Sequence, residues 1–112
     1  MIYKEFQGRQ LSNLSLGCMR LPHGEKYEEI DTQQVKQMVR YAMEHGVNYY
    51  DTAWGYHNGR SEIVMGEALS AYPRESFYLA TKFPGYDLSS FENVRGIFEK
   101  QLEKCRVYYF DF

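Results

Sequence analysis

Cysteine is scarce in this sequence. Only Cys18 and Cys105 occur in 112 residues, too few and too far apart for a zinc-ligand spacing or a disulfide framework. That scarcity suits a reducing compartment, so a cytoplasmic setting is expected. Long apolar runs are missing too. Met1-Ile2-Tyr3-Lys4-Glu5-Phe6 lacks the apolar core of a signal peptide, and no stretch approaches the length of a membrane span. Without a secretion signal, Asn13-Leu14-Ser15 reads as a chance match to the glycosylation triplet. Basic runs are also absent. Lys and Arg total 13 against 15 Asp and Glu, for a net charge of −2, so no electrostatic footprint for nucleic acid or an anionic membrane exists. What is present is 44% hydrophobic, 25% charged and 17% aromatic residues, the composition of one small globular domain with a large buried surface.

The hydrophobic pattern switches repeatedly between periods. Ile2 to Phe6 and Leu11 to Leu16 read as the strands of a β-hairpin about Gln7-Gly8-Arg9. Leu21 to Ile30, with Pro22, Gly24 and several charges, reads as a loop. Asp31 has Gln34 at capping-box spacing, and Val35, Met38, Val39 and Ala42 form one apolar helix stripe that ends at Gly46. Val47 to Asp51 is a strand, Thr52 to Arg60 a loop, and about Ser61 to Ala71 a helix. Phe77 to Thr81 is the next strand. Ser89 and Glu92 offer a second capping box. Phe91, Val94, Phe98, Leu102 and Cys105 predict the buried face of a third helix, and Val107 to Phe112 a last strand. Strands alternating with helices predict βαβ units and a parallel sheet, either doubly wound or part of a (β/α)8 barrel. The pattern alone does not choose.

Three polar residues fall at the predicted C-terminal ends of strands or just beyond, where α/β enzymes place reactive groups. They are Asp51, Tyr56 and Lys82. Their chemistry is coherent. A phenol titrates near 10 and is a poor acid at neutral pH. A nearby ammonium stabilises the phenolate, and a carboxylate fixes the ammonium. Such a set can protonate a carbonyl oxygen as hydride reaches its carbon. Each residue also has a plain structural reading, as a turn-forming Asp, one of 11 tyrosines, and a solvated Lys.

Longer motifs point further. Gly46-Val47-Asn48-Tyr49-Tyr50-Asp51-Thr52-Ala53-Trp54-Gly55-Tyr56 resembles the aldo-keto reductase signature, a strand ending in Asp-Thr-Ala with a Tyr five residues after the Asp. Ser61-Glu62 with Met65-Gly66-Glu67-Ala68-Leu69 resembles that family's following helix, and Leu79-Ala80-Thr81-Lys82-Phe83 its strand ending in the catalytic Lys. Leu16-Gly17-Cys18-Met19-Arg20-Leu21-Pro22 resembles the first barrel strand and its cofactor-facing turn. The matches keep the family's order over nearly the whole chain.

The resemblance implies an α/β fold, the N-terminal portion of a (β/α)8 TIM barrel preceded by a β-hairpin that plugs its base. Residues 1–112 would be the N-terminal part of a single barrel domain, cut in the fourth barrel strand. It implies NADPH-dependent reduction of a small-molecule aldehyde or ketone. Tyr56 would be the proton donor, Lys82 the cation that acidifies it, and Asp51 the partner of Lys82. Cys18, Met19, Arg20 and Asp51 are the expected cofactor contacts. The family's catalytic His ends the fourth strand and has no counterpart here. His23 and His45 lie elsewhere, and His57, beside Tyr56, is expected at the surface. The segments Cys18-Met19-Arg20-Leu21-Pro22 and Tyr56 to Glu62 look most like a bacterial subgroup, some of whose members add a ferredoxin-like domain with 4Fe–4S clusters. Two other readings stand beside the enzyme, a regulatory barrel module and an inactive truncated fragment. Substrate identity and oligomeric state are not legible.

Overall fold

Period-2 runs and helical stripes sort this chain into two sheets and three helices in the computed structural model, which describes residues 1–112. Strands β1 (Tyr3–Phe6) and β2 (Arg9–Ser12) form an antiparallel hairpin. Its two-residue turn holds Gln7 and Gly8 at φ of 50° and 76°, the paired positive angles that match the right-handed twist of the strands. The second strand is shorter than its sequence suggests. Ser12 Oγ donates to the Leu14 carbonyl at 2.6 Å, which curls the chain. Leu16 instead begins β3 (Leu16–Gly17) in a different sheet.

That second sheet has the order β3-β4-β5, with β4 (Tyr49–Asp51) in the middle and β5 (Tyr78–Ala80) beyond it. All pairings are parallel, and Gly17 stands opposite Asp51, which stands opposite Ala80. The C-terminal ends of the three strands are therefore level. The hairpin is bonded to the other end of the sheet. Asn48, just before β4, accepts the Ser12 N–H at 2.8 Å and donates to the Gln10 carbonyl at 2.9 Å.

Helix α1 (Thr32–Glu44) starts at Asp31, whose Oδ1 accepts the Gln34 N–H at 3.1 Å. It buries Val35, Val39 and Ala42 against a core that includes Leu21, Tyr50, Met65, Leu69 and Leu79. Met38, the fourth residue of the predicted stripe, is half-buried. Each fully buried aliphatic side chain of this kind contributes about 1.5–3 kcal/mol. The chain leaves α1 through Gly46 at φ +85°, where a Cβ would lie 2.6 Å from the Tyr3 hydroxyl oxygen. Helices α2 (Arg60–Leu69) and α3 (Val94–Cys105) pack against each other. No helix is long and apolar enough to cross a membrane.

Three expectations fail near the C-terminal side. The Ser89/Glu92 capping box does not form. Asp87 caps the 3-10 turn Leu88–Asn93 by accepting the Ser89 N–H at 3.0 Å, and Asn93 caps α3 by accepting the Gly96 N–H at 3.2 Å. A carboxylate and an amide oxygen, both strong cap acceptors, take the places the serine would have filled. Nor does the predicted stripe of α3 form a buried face. Phe91, Val94 and Phe98 are exposed, Leu102 is half-buried, and the helix buries Gln101 and Cys105. Finally, residues 107–112 run beside β5 without becoming a regular strand. The Asp111 carboxylate takes the Leu79 N–H at 2.9 Å, and Arg74 holds that carboxylate at 2.8 Å. A side chain thus occupies the donor that a ladder would use.

Candidate active site

Backbone bonds past the strand ends bring the polar candidates together. Cys18 N–H donates to the Asp51 carbonyl, Thr52 N–H to Ala80, and Trp54 N–H to Lys82, at 2.9, 2.9 and 3.2 Å. Asp51 thus closes β4 while Lys82 lies two residues past β5, on neighbouring strands about 4.8 Å apart. The Lys82 ammonium donates to Asp51 Oδ1 and, at 3.0 Å, to the Thr52 carbonyl. Its nitrogen stands 4.8 Å from the centroid of the Tyr56 ring. All three predicted residues meet at one place.

The electrostatics follow from this packing. Partial burial pulls the Lys82 pKa down, but the hydrogen bond to Asp51 and the polar neighbourhood of Asp51 and Tyr56 outweigh it, leaving the value raised. The ammonium stays charged throughout the neutral range. An open cleft of about 530 Å³ lies over the group, lined by Ala53, Gly55, Tyr56, Lys82, Phe83 and Tyr86. The Tyr86 hydroxyl closes over Gly55, where a Cβ would fall 2.6 Å from its oxygen and turn that exposed ring aside. Its lining combines apolar Ala53 and Phe83 with the phenols of Tyr56 and Tyr86 and the Lys82 ammonium. A phenol beside a held cation can give up a proton, the cation stabilising the phenolate left behind.

The turn after β3 divides its residues between inside and outside. Met19 and Arg20 are exposed. Cys18 is fully buried, its Sγ 3.6 Å from the Leu16 carbonyl. Burial, then the charge of Asp51, pushes that thiol up to about 12. The Cys18 carbonyl accepts from Ser61 Oγ at 3.0 Å, tying the turn to the first turn of α2.

His57 overturns its expected surface position. It is completely buried, with Nε2 2.9 Å from the Leu21 N–H nitrogen and Nδ1 2.6 Å from the Tyr27 carbonyl. A 3-10 turn, Tyr56–Gly59, turns its side chain inward with φ of 54°. His45 caps the exposed end of α1, its Nδ1 2.8 Å from the Tyr41 carbonyl. His23 is exposed.

Sequence reasoning also missed a buried polar cluster beneath Lys82. Glu62, fully buried, accepts from Thr81 Oγ1 at 2.8 Å, Gln101 Nε2 at 3.1 Å and Lys104 Nζ at 2.9 Å. Gln101 also donates to the Lys82 carbonyl at 2.9 Å. Lys104 lies 4.5 Å from the centroid of the Trp54 ring. The cluster pins the backbone that carries Lys82. Counting apolar residues on α3 passes over Gln101. Glu62 in the first turn of α2 was the one available signal.

Known proteins resemble this chain in sequence and fold. The profile of the aldo/keto reductase family matches residues 13–112. A probable aldo-keto reductase 1 of Glycine max is 34% identical over 94% of this chain, which covers 32% of that protein. Among solved structures, a thermostable aldo-keto reductase, Tm1743, in complex with the inhibitor epalrestat, superposes with a TM-score of 0.80 at 23% identity, over 99% of this chain and 41% of that one. An aldo-keto reductase from Klebsiella pneumoniae in complex with NADPH superposes with a TM-score of 0.72 at 22% identity, over 99% of this chain and 38% of that one. The chain thus spans about a third of the length of the curated relative and about two fifths of the solved ones. With the profile match extending over all but the first 12 residues, this chain belongs to the aldo/keto reductase family.

Proposed function

We propose that residues 1–112 form the first part of a (β/α)8 barrel that reduces an aldehyde or ketone to an alcohol with NADPH, Tyr56 being the proton donor. The observation that carries this reading is the convergence of Tyr56, Lys82 and Asp51 at the level ends of β4 and β5. The bound nicotinamide would supply a hydride to the carbonyl carbon. Tyr56 would give its hydroxyl proton to the carbonyl oxygen at the same time, and solvent would return that proton afterwards. Lys82 would stabilise the phenolate left on Tyr56, and Asp51 would keep Lys82 in place and charged. The exposed Met19 and Arg20 would meet the cofactor from the turn after β3, with Asp51 on the adjacent strand. Cys18 would contribute packing beneath that turn. The site fits such a cofactor in one respect of its own: the cleft's lining joins apolar Ala53 and Phe83 to the Tyr56 and Tyr86 phenols and the Lys82 ammonium, which suits a flat ring beside a carbonyl.

The test is isotopic. The full-length protein is given NADPH deuterated at the transferring position of its nicotinamide, with a small aromatic aldehyde. The product alcohol should carry one deuterium on carbon, as read by mass spectrometry. Absence of NADPH oxidation with a broad panel of aldehydes and ketones would favour a regulatory barrel instead.

A further inference from the structure

The turn that carries the proposed proton donor runs through the left-handed region, and the residue that holds it, His57, is buried outside the lining of the cleft. His57 and Asn58 both adopt the left-handed region, at φ of 54° and 53°, and Gly59 follows at 90°. Two non-glycine residues in that region are unfavourable and persist only where their surroundings over-determine them. The surroundings here are specific. His57 Nε2 faces the Leu21 N–H at 2.9 Å, a group that can only donate, so Nε2 presents a lone pair. The ring proton is therefore on Nδ1, 2.6 Å from the Tyr27 carbonyl, which can only accept. The ring also stacks on Tyr27 with centroids 4.1 Å apart and meets His23 edge-on at 5.6 Å. Tyr27 in turn donates its hydroxyl proton to the Met19 carbonyl at 2.6 Å. Asn58 reaches the same loop, donating to Glu28 Oε2 at 2.9 Å.

These contacts form a closed circuit. It runs from the Tyr56 turn through His57 to Leu21 and Tyr27, and through Tyr27 to Met19. Every member is a neighbour of either the proton donor or the cofactor-facing turn. We infer that His57, as its Nδ1–H tautomer, is a positioning residue that locks the Met19–Leu21 turn to the loop carrying Tyr56, so that cofactor affinity and proton-donor placement are set by one buried ring. This rests on the reading of Tyr56 and Met19–Arg20 given above. Loss of the ring's hydrogen bonds frees both loops at once, whereas a residue that merely filled space would change stability alone.

The test uses the full-length protein with His57→Phe, which keeps the stacking ring and removes both hydrogen bonds, and His57→Gln, whose amide supplies one acceptor and one donor. The dissociation constant of NADPH is read by fluorescence, and kcat with a small aldehyde by NADPH oxidation. His57→Phe should weaken NADPH binding about tenfold, the scale of a lost buried hydrogen bond. It should lower kcat by up to about 10²-fold, as misplacement of a reacting group does. His57→Gln should recover most of both. A folded His57→Phe with unchanged affinity and kcat overturns the proposal, and so does a folded His57→Gln no better than Phe. If His57→Phe does not fold, nitrogen-15 spectra of the native imidazole decide. An Nδ1–H tautomer whose Nε2 signal shifts on NADPH addition supports the clamp, while an Nε2–H tautomer or no response to NADPH overturns it. Tyr56→Phe is run alongside. Full turnover by that variant removes the proton-donor reading, while NADPH affinity and the tautomer judge the clamp separately.

Discussion

The Lys82–Asp51 pair is where a single substitution says most. With Asp51 present, the Lys82 ammonium is held above its ordinary value despite partial burial. Replacing Asp51 with Asn removes the main opposition to burial, so the Lys82 value should fall. The sign is definite. A raised lysine keeps its charge, and the stability that charge gives, at all pH below its unfolded value, and loses them only as pH rises through the folded value. The Lys82 side-chain titration, followed by NMR, should therefore move to lower pH in Asp51→Asn. An unmoved titration would mean that Asp51 does not hold the ammonium. The cysteines make the opposite prediction. Cys18 and Cys105 are buried, and burial lifts both thiols to about 12. Neither should react with iodoacetamide at pH 8 until the protein unfolds, as mass spectrometry would report. Asp51, Tyr56 and Lys82 were legible because strand periodicity put them at strand ends and the family motif fixed their order. His57 was not, because nothing about a histidine beside a tyrosine says which way its ring points. The following Asn58-Gly59, residue types tolerant of positive φ, was the clue to a turn that could bury it.

At the scale of elements, the packing of α2 on α3 explains a glycine in the middle of a helix. A Cβ on Gly66 would lie 2.4 Å from the Lys104 carbonyl oxygen and 2.8 Å from the Cys105 backbone. Alanine would gain about 1 kcal/mol of helix propensity, but overpacking against a backbone costs about 1–3 kcal/mol. Gly66→Ala should thus be neutral to destabilising rather than stabilising, by up to about 2 kcal/mol in urea unfolding of the full-length protein. A clear gain in stability would show that α3 can move aside. In the polar cluster beside that contact, Glu62→Ala would leave the Lys104 ammonium without its carboxylate in the interior, while Gln101 keeps its bond to the Lys82 carbonyl. Breaking a buried pair of this kind costs about 3–5 kcal/mol, and the urea midpoint should drop accordingly. The order of elements as far as α3, the α1 cap and most of the α1 face were readable from spacing, whereas the strand expected at 107–112 was not formed. The face of α3 was not, because periodicity marks an apolar stripe without saying what it meets. Phe91, Val94 and Phe98 form such a stripe, and within residues 1–112 only the Gln101–Cys105 end of the helix is buried.

The whole molecule is a slab. Its extents are 41 × 37 × 21 Å, with the three-stranded sheet covered by helices and the hairpin bonded to the N-terminal end of β4. Leu88, Phe91, Phe98 and Tyr108 stand exposed on it, and exposed apolar groups of this kind favour association. Residues 1–112 expressed alone should sediment above monomer mass. A monodisperse monomer with a cooperative melt would contradict that. Tyr56 is the residue on which the proposed reaction depends. In a single turnover with NADPH already bound to the full-length protein, loss of nicotinamide absorbance on adding an aldehyde reports hydride transfer directly. Tyr56→Phe should slow that step by about 10²–10⁴-fold while NADPH affinity stays within about threefold of the native value. A native rate of hydride transfer in Tyr56→Phe would contradict it.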